Sequence, residues 1–259
     1  MLFAVLARKA YARNLQYRGS HLLHNVVSAA FGFIYASIWS GLGSGDTALG
    51  DYGHQGMLGY IAFNQAILWV TLFTTNGLGL EQSVRSGQIA VDLMRPVHLF
   101  YQAMSREWGQ VLYQLIYKFF PIYILYFFIF SLKLPTQLAV YGWTALALVM
   151  AAYISICINY LIGVAALWTT ESRWFYWVNY ALSMLLSGFF IPLEWLPRWL
   201  RTVSYCSPYP YLLYYPTRIY MQFEHGSVVL GALCWCIGFT CVCLVATSAV
   251  RKKLEVQGG

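Results

Sequence analysis

The sequence predicts an all-α integral membrane protein, and three observations carry that reading. Hydrophobic residues make up 59% of the 259 and charged residues only 10%, against roughly 25% charged in soluble domains. Six apolar runs each come near the roughly 20 residues that a helix needs to cross a bilayer. Those runs are continuously apolar instead of alternating, which sets a β-barrel aside. Mean hydropathy is +0.57, and six crossings leave no room for a sizeable soluble domain, so residues 1–259 are read as one domain.

The elements follow in order. The opening MLFAVLARKAYARNLQYR carries its basic cluster behind a short apolar stretch, the reverse of a cleavable signal peptide. It reads as an interfacial helix on the inner membrane surface, with Leu2, Phe3, Leu6 and Tyr17 toward lipid. The spans fall at Leu22–Ser40, Leu58–Leu80, Val111–Leu132, Val140–Ala166, Trp174–Ile191 and Val228–Val250. After the first comes a Gly-rich outer loop whose Asp46, Asp51 and His54 lack the rigid spacing of metal ligands, so no metal is expected. After the second, Glu81 to Glu107 is a polar inner segment. After the fifth, five prolines between Pro192 and Pro216 forbid one continuous helix. Trp195, Leu196, Trp199 and Leu200 recur there as one face of a short outer helix, and a second is expected over Tyr211–Gln222.

Charge sorts by side. With the N-terminus inside, the inner segments hold eleven cations and five acids, while four cations and four acids balance outside. The excess sets both termini in the cytoplasm of a plasma (cell inner) membrane protein. A basic balance explained in this way does not point to nucleic acid. Lys118, within the third span, is read as snorkelling to the inner headgroups, with service to a substrate anion as the other option. The CxC pairs Cys234/Cys236 and Cys241/Cys243 point their thiols to opposite sides of a helix and are read as packing residues.

Polar residues inside the spans form two stripes. Asn64, Thr71 and Thr75 share a face of the second span, and Asn179, Ser183 and Ser187 repeat at i, i+4 in the fifth. Such side chains turn toward protein or a wet cavity, so the stripes either line a substrate pathway or let helices approach closely. Glu194, in the apolar outer cap, is either a solvated rim carboxylate or an outer-gate residue paired with Arg198 or Arg201.

No GxxxxGK[ST], HExxH or GxSxG occurs, so neither ATP binding of the P-loop kind nor a catalytic residue is read from the chain. The polar segment offers something else. Gly87 to Leu93 makes a short amphipathic helix closed by a turn at Pro96. Ile89 and Leu93, at i, i+4, suit an apolar cleft in a partner, with Asp92 and Arg95 as a polar rim; the same pattern also suits a helix resting on headgroups.

Two stretches carry a family likeness. Ser86–Pro96, SGQIAVDLMRP, is similar to the element before the third span in permease subunits of the ABC type-2 exporter family: Gly, an apolar–acidic–Leu pair, then Arg-Pro. Ser187–Pro197, SGFFIPLEWLP, is similar to that family's element after the fifth span, and with the topology the resemblance covers nearly the whole chain. It implies six spans, a cytoplasmic coupling helix between spans 2 and 3, and a pair of permeases, identical or sibling. Separately encoded P-loop ATPases, holding ATP and Mg themselves, would dock at Gly87, Ile89, Asp92, Leu93, Arg95 and Pro96 and drive export. No cofactor is expected on this chain, and membrane lipid is its other partner. The competing class is an ATP-independent channel, scramblase or secondary transporter. Against it stand the lack of inverted repeats and the near-absence of intramembrane charge.

Overall fold

A computed structural model describes residues 2–16, 18–42, 52–169 and 172–257. Its regular structure is helical, with no strand among the described residues. The helices are α1 (Leu2–Leu15), α2 (Arg18–Leu42), α3 (Gly53–Thr71), α4 (Leu80–Arg85), α5 (Gln88–Met94), α6 (Leu99–Gln114), α7 (Phe120–Phe130), α8 (Leu138–Thr169), α9 (Arg173–Leu186), α10 (Arg198–Tyr205), α11 (Tyr214–Tyr220) and α12 (Val229–Gln257). Five stretches are long and apolar enough to cross a membrane: His21–Gly41, Gly53–Arg85, Leu99–Phe130, Leu138–Thr169 and Gly226–Val250. α3 is the centre. It is buried along most of its length, packed by α2, α7, α8 and α11, and its sequence is accordingly apolar round most of its circumference, with Asn64, Gln65 and Thr71 buried among the chain's own groups. α2 and α12 instead turn many large apolar residues outward, as helices facing lipid do.

The third crossing starts at Leu99, well before the expected Val111. Gln102, Ser105, Arg106 and Glu107 interrupt its apolar run, yet the helix runs through them because Gln102, Ser105 and Glu107 are buried against the chain's own polar groups. α6 passes into α7 through a π turn at Leu115–Phe119. Pro121 has no N–H to give the Tyr117 carbonyl four residues back, and in hydrocarbon that oxygen has no water to turn to. Asn25 of α2 supplies the donor, with Nδ2 2.7 Å from it. Asn25→Leu is therefore expected to lower thermal stability in detergent by about 1–2 kcal/mol, and an unshifted unfolding midpoint would contradict this role.

The fifth expected span, Trp174–Ile191, is a shorter helix. α9 has 14 residues, about 21 Å of rise against a hydrocarbon core of about 30 Å. It ends where the chain turns at Ser187 and Gly188, the latter at φ +77°, a conformation that glycine adopts without penalty. In the cap that follows, Pro197 delays the first helix to Arg198, so Leu196 is buried while Trp199 is exposed and the expected single face does not form. The second cap helix is α11, shorter than expected at both ends.

Two local expectations also change. α1 lies along α6, with Phe3 edge-on to Tyr101 at 5.4 Å instead of in lipid, and Leu2 and Val5 are its exposed large apolar residues. Lys118 does not snorkel: it is buried, its ammonium 3.4 Å above the Trp69 ring, a cation–π contact in place of an ion pair. His54 Nε2 lies 3.3 Å from Ser40 Oγ; Asp46, Asp51 and Tyr17 fall outside the described residues.

Candidate functional site

The second crossing, expected to be continuous to Leu80, breaks after Thr71. Thr75 is extended, and Gly77, Leu78 and Gly79 follow at φ +52°, +50° and +71°. A left-handed leucine persists only where its surroundings hold it. Polar side chains of α6 and α8 do so by replacing the lost helix bonds. The Thr75 N–H donates to Glu107 Oε1 at 2.7 Å, and Gln114 Nε2 donates to the Phe73 carbonyl at 2.7 Å. Asn159 Nδ2 donates to Thr74 Oγ1 at 2.8 Å, with Ser155 Oγ beyond it at 3.4 Å. The α8 backbone presses on the break at Gly163, where a Cβ would sit 2.1 Å from the Gly77 carbonyl oxygen. Glu107, counted from sequence as an inner-segment charge, is only 5% exposed and belongs to this cluster.

The break leads directly into an elbow made of α4 and α5, turned at Gly87 with φ +73°. Both arms are clamped. Glu81 accepts from the Ser172 N–H and hydroxyl at 3.1 and 2.6 Å and pairs with Arg85 at 2.8 Å, fixing α4 to the residue that precedes α9. Asp92, 4% exposed, lies 3.5 Å from Arg95 and 3.9 Å from Arg106 of α6. Gln102 Nε2 donates to the Asp92 and Val97 carbonyls at 3.3 and 3.0 Å. Ile89 is buried and Leu93 packs on the same core, so the apolar face expected to enter a partner is spent on the chain itself. Spacing alone cannot tell whose core an apolar face joins. What α5 presents outward is Val91 at 49% and Met94 at 82% exposure, flanked by Gln88, Arg95 and Pro96. Val91 and Met94 lie off the face that the i, i+4 pair Ile89 and Leu93 marks, so the spacing did not single them out.

The polar stripes are held within the chain. Asn64 accepts from Thr217 Oγ1 of α11 at 2.5 Å and donates to the Gly188 carbonyl at 3.4 Å, while Thr71 caps its own helix at Ile67 O, 3.1 Å away. Asn179 accepts from the Tyr209 hydroxyl at 3.1 Å; Ser183 and Ser187 are buried, and the outward face of α9 is apolar. Of the two readings, close packing accounts for these contacts without a pathway. Burial raises the pKa of the Tyr209 phenol, so this donor keeps its proton at neutral pH.

The cap has one ionic centre. Glu194 pairs with Arg218 of α11, which also reaches Glu224 at 3.4 Å and the Tyr52 hydroxyl at 3.2 Å. Neither cation expected from sequence supplies the pair: Arg201 touches only the Glu194 carbonyl, at 3.2 Å, and Arg198 is exposed. Proximity in sequence pointed to the next helical turn, whereas the fold brings α11 back over the cap. Arg218→Gln, which leaves two acids without their shared cation, is expected to cost about 1–3 kcal/mol of thermal stability. Arg198→Gln is expected to leave the melting curve unmoved; equal effects of the two would contradict the assignment.

Five stretches long and apolar enough to cross a membrane, the second of them broken and followed by a clamped elbow, define a multi-pass membrane protein. A family model described as ABC-2 family transporter protein matches residues 29–257, and the chain belongs to that family. A comparison with curated proteins finds no match.

Proposed function

We propose that this chain is the transmembrane permease subunit of an ATP-driven exporter, paired with a second permease, identical or sibling. Separately encoded P-loop ATPases supply the ATP and Mg chemistry. The observation that carries the reading is the elbow. α5 offers Val91 and Met94 to an apolar cleft and Arg95 to its rim, while Asp92 and Glu81 tie the elbow to α6 and to Ser172 ahead of α9. A push on α5 therefore reaches the break at residues 72–79, whose polar contacts are few enough to exchange between two arrangements. In this reading the elbow and both termini are cytoplasmic, in the plasma membrane. α9 together with the Ser187–Ile191 turn makes the sixth crossing, and Glu194–Arg218 closes the outer side.

Extraction into mild detergent, capture of the tagged chain and native mass spectrometry test this directly. A complex of two permeases with P-loop ATPases is expected. A chain that arrives without any ATPase, even after crosslinking in the membrane, would overturn the proposal in favour of an ATP-independent transporter.

A further inference from the structure

Two cavities adjoin at the cap end of α7 and α8. One, of about 270 Å³, has Lys133, Gln55, Thr136 and Gln222 around it and no carboxylate in its lining. The other, of about 410 Å³, runs down between α6, α7 and α8 and is walled almost wholly by apolar groups. Tyr123, Leu134 and Tyr220 line both, so the two form one crevice, polar at its mouth and apolar along its length. Its rim residues Leu112, Phe120, Tyr141 and Val149 are exposed on the side that meets hydrocarbon. Within it, the buried Thr144 hydroxyl has no hydrogen-bond partner. Thr144 lies about 9 Å along α8 from its first residue, below the level of Lys133.

Each feature asks for a different part of one molecule. An apolar slot that opens to the bilayer forfeits dispersion contacts unless a chain fills it. A hydroxyl donor at that depth has no water to satisfy it and needs an acceptor such as an ester carbonyl. A lysine at the membrane surface with no acid beside it draws an anionic headgroup. We infer that this crevice holds one acyl chain of an anionic glycerophospholipid, with its ester at Thr144 and its phosphate at Lys133. A soluble phosphate would leave the apolar slot empty, and a neutral lipid would leave Lys133 unmatched. The site is separate from the elbow and does not depend on the export reading.

The test uses the full chain in nanodiscs of phosphatidylcholine with phosphatidylglycerol as the minor lipid. Each lipid is supplied in turn as a probe with a photoreactive acyl chain, followed by peptide mapping. The phosphatidylglycerol probe is expected to label α8 around Thr144 and α6–α7 around Leu112–Phe120, about fivefold more than the phosphatidylcholine probe. Lys133→Glu is expected to abolish that preference. Ala145→Trp, a change at an exposed position that lines the crevice, is expected to abolish the labelling itself with the circular-dichroism melt unchanged. Equal labelling by both probes, a preference that survives Lys133→Glu, or label spread evenly over α2 and α12 would each overturn the assignment.

Discussion

Replacing Val91 and Met94 together by alanine is expected to reduce ATPase stimulation by this chain at least about tenfold, since a pair of central apolar anchors commonly carries more than 1.4 kcal/mol of an interface. The two side chains are the most exposed apolar groups of α5, and their removal opens no cavity in the chain. The variant should therefore express and melt like the parent. Ile89→Ala makes the contrasting case. Ile89 is buried in the chain's own core, so its truncation is expected to cost about 2–3 kcal/mol of stability. ATPase assays and thermal unfolding on the two variants separate docking from folding. Normal stimulation in the Val91/Met94 double variant would remove α5 from the interface.

Gly163→Leu is expected to abolish the folded protein altogether. The obstacle is backbone: a Cβ at Gly163 would meet the Gly77 oxygen at 2.1 Å and the Gly77 carbonyl carbon at 2.8 Å, and neither can rotate away. Gly163→Ala, which brings the same Cβ but none of the larger side chain, is expected to cost about 3 kcal/mol or more as the break shifts to make room. Gly142, in the same helix, has nothing within 4 Å of its Cβ position. Gly142→Ala should be neutral or stabilising by about 0.5–1 kcal/mol, because alanine loses less backbone freedom in a helix. Equal yields and melts for Gly163→Leu and Gly142→Ala would mean that α8 does not press on the break.

Much of the architecture was readable from the chain because hydrocarbon imposes a simple demand, long apolar runs with internally satisfied backbone. The first, fourth and last crossings follow from that rule alone. It failed where polar residues serve the interior. Glu107 and Gln114 look like polar interruptions in a list, yet they are the partners that the broken helix needs, and Gln102 holds the elbow beside it. The break itself was masked by apolar neighbours: LFTTNGLGL continues a hydrophobic run, and only the glycines at 77 and 79 hint that it stops. On α5 the period was right and the face was assigned to the wrong core, since spacing does not say which side is buried. Arg218 was missed because an ion pair across 24 positions leaves no local signal; it required the return of α11 over the cap.

On the proposed function, the outward face of α5 is where a motor protein engages the chain. A photo-crosslinking amino acid placed at position 94, compared with the same group at position 89, tests it in native membranes. Position 94 is expected to crosslink to a P-loop ATPase, and position 89 only within the chain. Crosslinks from position 94 to lipid alone, with the chain intact and at normal abundance, would contradict it.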